Sequence, residues 1–130
     1  MKLLLDRQEK YTLLELHEPK LDAGISPDFK SELIYLNSEG VRNIIIDLQN
    51  VKFVDSSGLS ALLVGNRLCK GVNGSFVIAR PTAEVKKLMN ISQLETVINA
   101  VPSVEEAIDL VFIEEIEREL GEPSNEEGDE

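Results

Sequence analysis

The chain predicts an α/β fold: one domain with a mixed sheet of about four to five strands, the later ones mostly parallel, and about four helices, in the order ββαβαβαβα. Three observations carry this. The chain opens with two short apolar runs, Lys2 to Leu5 and Tyr11 to Leu16, divided by a polar stretch. Its middle holds NIIIDL (Asn43 to Leu48), a continuous β-branched run of the kind that forms a strand buried on both faces. From there short apolar runs alternate with segments whose apolar residues recur at helical spacing.

The opening runs read as a hairpin. After a turn-like segment from Pro19 to Ile25, Ser26-Pro27 has the form of a cap with proline in the first turn, and Phe29, Leu33, Ile34 and Leu36 share one face of a helix over 27–38. Gly40 stops it. The run Asn43 to Leu48 is the expected central strand. Val51, Phe53 and Val54 lead to Asp55-Ser56-Ser57-Gly58 and an apolar helical stretch, LSALLVGNRLCK, in which Leu59, Leu62, Leu63 and Cys69 are core candidates. The turn cluster Lys70 to Gly74 precedes the short buried strand Ser75 to Ala79. Thr82 is the expected cap of a helix running to about Asn90, and Thr96-Val97-Ile98 is the expected last strand. Ser103 followed by Glu106 is a capping box opening the final helix. Residues 1–118 are expected to form the domain and 119–130 an acidic disordered tail.

Composition excludes several classes. With 42% hydrophobic and 28% charged residues the chain reads as a soluble globular domain. No apolar run approaches the roughly 20 residues that cross a bilayer, and the N-terminus lacks the form of a signal peptide, so no membrane insertion and a cytoplasmic location are expected. The net charge is −11, of which the last ten residues supply −5. An acidic chain does not suit nucleic acid, whose binding needs clustered Lys and Arg. The one cysteine, Cys69, cannot form an intramolecular bridge.

Signals for catalysis are weak. The one histidine, His17, has no sequence feature that brings it to a serine, and neither a phosphate-binding loop nor a dinucleotide fingerprint occurs. Asp22, Asp47 and Asp55 could gather at one end of a parallel sheet as magnesium ligands do, but single carboxylates more often cap helices or form turns. No catalytic residue, metal or cofactor is expected.

The informative stretch is FVDSSGLSALL, which sets two hydroxyls and a carboxylate where a strand passes into a helix. Asp55 or Ser56 can cap that helix, and Gly58 lets another surface approach closely. The same geometry suits modification: a hydroxyl at a helix N-terminus is where an added phosphate meets free amides and the positive end of the dipole. A phosphoserine at Ser57, carrying about −1.5 to −2 charges, would oppose binding to an acidic or apolar partner.

At this motif the chain resembles the sulphate transporter and anti-sigma factor antagonist (STAS) family, in particular its free-standing bacterial antagonists. The likeness extends over NIIIDLQNVKFVDSSGLSALL, to Leu21-Asp22-Ala23 upstream and to SFVIA with the helix opening near Pro81 downstream, roughly residues 3–115. Pro19-Lys20 stands where the family usually has Gly-Glu or Gly-Asp, and Ser60 where a glycine is frequent. The resemblance implies a phosphoacceptor at Ser57 and a contact surface of Asp22, Asp55, Ser56, Gly58, Leu59 and Ser60. It also implies the partners: an anti-sigma factor serine kinase, captured by the unphosphorylated antagonist so that a sigma factor is freed, and a serine phosphatase that resets the switch. The alternative is a constitutive STAS subunit of a membrane lipid-transport ATPase or another complex, needing no phosphorylation.

Overall fold

Ile44, Ile45 and Ile46 are all at most 1% exposed, and the sheet is built around them. The computed structural model describes residues 1–121. Its elements are strands β1 (Leu3–Arg7), β2 (Thr12–Leu16) and β3 (Lys20–Leu21), helix α1 (Ser26–Ser38), strands β4 (Ile44–Asp47) and β5 (Phe53–Val54), helix α2 (Ser56–Gly71), strand β6 (Phe76–Ala79), helix α3 (Ala83–Ile91), strand β7 (Asn99–Val101) and helix α4 (Val104–Glu119). The five-stranded sheet has the order β1-β2-β4-β6-β7. The β1–β2 pair is antiparallel and the remaining pairs are parallel, so the mixed α/β architecture expected from the sequence is the one observed.

Alternation along the strands divides the core into two layers. Leu14, Ile44, Ile46 and Ile78 face α1, α2 and α3, where Phe29, Leu33, Leu36, Leu62 and Val85 meet them. Ile45, Val77 and Ala79 face the other way, toward Ala107 and Val111 of α4. Among the described residues, three helices therefore cover one face and α4 alone covers the other. Cys69 lies in the larger layer and is 1% exposed, as a small core residue.

The caps follow the sequence in part. Thr82 Oγ1 accepts from the Val85 amide at 3.3 Å, and Ser103 Oγ accepts from the Glu106 amide at 3.1 Å. Ser26 does not cap α1. It is the first helical residue, Ile25 stands at the cap position without a side-chain bond, and the Ser26 amide donates instead to the Asp22 carbonyl at 2.8 Å.

Two further corrections concern strands. Lys20–Leu21 and Phe53–Val54 pair in parallel as a separate two-stranded sheet. Thr96-Val97-Ile98 is not the last strand: a 3-10 turn spans Leu94–Thr96 after Gln93 turns left-handed at φ 61°, and pairing with β6 begins at Asn99. Ile98 goes to the larger core layer and Val97 stays 51% exposed, so this apolar run is split between core and solvent before pairing begins. Helix α4 runs to Glu119, the first residue of the acidic tail expected over 119–130, and the rest of that tail from Glu122 onward lies outside the described residues.

Candidate functional site

Asp55 follows directly on β5 and stands in extended backbone at the N-cap of α2. A carboxylate there can satisfy amides that the first helical turn leaves without partners. Its Oδ1 accepts from the Gly58 amide at 2.9 Å and from the Ser57 hydroxyl at 2.6 Å. Its Oδ2 accepts from the Ala23 amide at 3.1 Å. One side chain thus caps the helix, orients Ser57 and ties down the loop after β3.

That loop is shaped by Asp22. Its Oδ1 accepts from the Gly24 amide at 3.0 Å, and its carbonyl accepts from the amides of Ile25 and Ser26. Asp22 and Asp55 therefore hold adjacent amides of the same short segment. The hydrogen bond from Ser57, then that from the Gly58 amide, hold the Asp55 carboxyl below the usual carboxylate range, so it is ionised at neutral pH.

Ser57 Oγ lies 3.2 Å from Ser26 Oγ, and Ser26 is 1% exposed. The Ser57 side chain is consequently held between Asp55 on its outer side and a buried hydroxyl on its inner side. Ser56 is exposed, while Ser57, Leu59 and Ser60 are half-buried. Leu59 and Leu63 pack on the edge of the larger core layer, and Leu62 is fully buried within it.

Gly58 is buried, and the surface that approaches it belongs to the chain itself. A Cβ at this position would lie 2.3 Å from the Leu21 carbonyl oxygen and 2.7 Å from Val54 Cγ1. The first turn of α2 can press onto β3 and β5 because residue 58 has no side chain.

The three aspartates considered as magnesium ligands do not form one cluster: Asp22 and Asp55 are neighbours, and Asp47 is not grouped with them. Asp47 is 1% exposed and is held by both Nε and Nη2 of Arg80, while Asp55 is engaged by Ser57, Gly58 and Ala23. Among the described residues no cluster of three or more His, Cys, Asp or Glu could hold a metal ion. His17 Nε2 lies 3.2 Å from Glu15 Oε2, and the polar partners of Ser57 are the Asp55 carboxylate and the Ser26 hydroxyl, so no histidine stands by that hydroxyl as a Ser-His-Asp arrangement needs.

Sequence reasoning missed three participants. The Ala23 amide and the Ser26 hydroxyl reach the motif through pairing of β3 with β5, which no local pattern announces. Phe53, two residues before Asp55, is 46% exposed and pairs with Lys20 across β3 and β5. The alternation of a strand could have indicated it, since Val54 points inward and its neighbour must then point out.

Comparison with known proteins agrees with this fold. A structure of an anti-sigma factor antagonist from Mycobacterium paratuberculosis superimposes with a TM-score of 0.77 at 16% identity, covering 85% of this chain and 93% of that one. The phosphorylated form of the Bacillus cell fate determinant SpoIIAA gives a TM-score of 0.67 at 24% identity, covering 85% and 99%. The murine anion transporter Slc26a9 gives 0.70 at 16% identity over 83% of this chain, with the match confined to 18% of the transporter. At these identities the likeness is one of fold. The STAS domain family model matches residues 2–107, and with this fold around it the chain belongs to the STAS domain family.

Proposed function

We propose that this protein is a non-enzymatic, cytoplasmic anti-sigma factor antagonist. Its unphosphorylated form binds an anti-sigma factor serine kinase and so releases a sigma factor, and phosphorylation of Ser57 ends that binding. The observation that carries the reading is the Ser57 hydroxyl, half-buried in the first turn of α2 and bonded at 2.6 Å to an ionised Asp55. A phosphate on that oxygen would set two or nearly two negative charges beside a carboxylate, and the group would have to turn outward, into the surface where a partner sits. The contact surface is Asp22, Asp55, Ser56, Leu59 and Ser60, with Phe53 as an exposed apolar neighbour and Gly58 beneath it holding the helix in place.

The family membership supports this reading, as does the likeness to antagonists, one of them described in phosphorylated and unphosphorylated forms. Among the described residues no helix is long and apolar enough to cross a membrane.

The test is intact-mass analysis and site mapping after incubation with ATP, magnesium and each anti-sigma-type serine kinase of the same cell, followed by binding measurements. One phosphate at Ser57 is expected, absent from Ser57→Ala. Ser57→Ala should keep kinase binding, and Ser57→Asp should weaken it by about a hundredfold, or about 3 kcal/mol. No phosphorylation, together with stable co-purification with a membrane lipid-transport ATPase, would replace this reading with that of a constitutive subunit.

A further inference from the structure

Helix α4 is amphipathic in an unusual sense, since it carries apolar residues on both sides. Its inward face places Ala107 and Val111 on the sheet. Its outward side carries Ile113 and Ile116, 52% and 56% exposed, continued by Leu120 just past its end at 72% and flanked by Phe112, which is 40% exposed and packs edge-on against Tyr11 with ring centroids 6.4 Å apart. Ile113, Ile116 and Leu120 are spaced three and four apart and form one stripe along the helix, with Phe112 beside it. Scattered exposed apolar residues need no explanation, but a contiguous stripe rimmed by polar groups marks an interaction surface.

The rim says which partner. Glu105, Glu106, Asp109, Glu117 and Glu119 are the exposed charges of this helix. Its one base, Arg118, is turned inward onto Glu115 and Ser75. A second copy of the chain laid stripe to stripe would oppose carboxylates to carboxylates, and an anionic lipid surface would meet the same repulsion. A segment with apolar residues flanked by Lys or Arg would bury the stripe and neutralise the rim together.

We infer that the outer face of α4 docks a basic amphipathic segment of another protein. This surface is separate from the Ser57 site: α2 packs on the opposite face of the sheet, and the C-terminal half of α4 is anchored through Glu115 to Asn43, just before β4, whereas Asp55 follows β5. The domain then has two contact surfaces, and the one on α4 does not depend on the reading of Ser57.

The test uses the full chain and a helical peptide of about 18 residues made only of leucine and lysine, with leucine at helical spacing, and its counterpart with glutamate for lysine. Titration calorimetry should detect binding of the lysine peptide only, and amide shifts on titration should map to α4. The double variant Ile113→Ser, Ile116→Ser should keep its helical circular dichroism and bind at least about tenfold more weakly. Ile91→Ser, at a still more exposed apolar position at the end of α3, should bind as the parent does. Absence of binding to the lysine peptide, or equal binding by the double variant, would overturn the proposal. So would a self-associated dimer, or adhesion to phosphatidylglycerol vesicles, that the double variant abolishes, since either would assign the stripe to another occupant.

Discussion

The guanidinium of Arg80 closes over Asp47, with Nε and Nη2 both donating to a carboxylate that is 1% exposed. Arg80 reaches it from a left-handed backbone, at φ 54°, with its own amide donating to the Val101 carbonyl at 2.9 Å. A side chain in that region of conformational space costs free energy, and here the geometry turns the chain at the end of β6 and aims the arginine back over the sheet. Arg80→Gln leaves a buried carboxylate without its counter-charge and should lower unfolding free energy by about 3 kcal/mol. Urea denaturation measures this, and adding Asp47→Asn to the variant should restore part of the loss. A cycle with no coupling would show that the pair does not act as a unit.

Gly58→Ala tests how tightly the switch region is packed. The added methyl would meet the Leu21 carbonyl oxygen, which cannot move without disturbing the pairing of β3 with β5. A loss of about 3 kcal/mol is expected, with a lower thermal midpoint. A variant as stable as the parent would mean that α2 can slide away from β3 at little cost.

Acid should loosen α4 before the rest of the domain. Burial, the largest influence on Glu115, raises its pKa, but donation from Asn43, Arg118 and Arg42 overcomes this and brings the value down to about 2. The folded value lies below the ordinary 4.5, so the contribution of this group is complete above about pH 4.5 and is lost as pH falls toward 2. Glu115→Gln should flatten the dependence of stability on pH in that window. An unchanged acid limb would assign it to other carboxylates.

Cys69 should be inert in the native state. Burial, the leading cause, pushes its thiol up to about 12, so almost no thiolate forms at neutral pH. Iodoacetamide at pH 8 should leave the folded protein unmodified and alkylate it fully in denaturant. Rapid native alkylation would require an opening of the layer between α1 and α2.

Particular residues show where the sequence was legible. β4 and β6 could be read directly because continuous apolar runs leave a strand no solvent-facing side, and Thr82 and Ser103 because capping depends on residues a few positions away. Ser26 has the composition of a cap, yet the Asp22 carbonyl takes its amide and Ser57 lies beside its hydroxyl. That outcome depends on how two distant turns meet. β3 and β5 are two residues each, too short for any periodicity to register, and they exist because α2 packs across both. Within the site, the carboxylate and hydroxyl of Asp55 and Ser57 were evident as neighbours, while the hold of Asp55 on Ala23 required the fold.

The unequal covering of the sheet bears on the order in which the domain opens. The face under α1, α2 and α3 is closed by a large apolar layer, whereas α4 is held by a smaller apolar cluster and by the polar ties of Glu114, Glu115 and Arg118 to Asn43, Ser75 and Arg42. Such a helix can lift from the sheet as a unit while the opposite layer stays intact. Its amides would then exchange with solvent deuterium sooner than those of β4, which lies at the centre of the sheet.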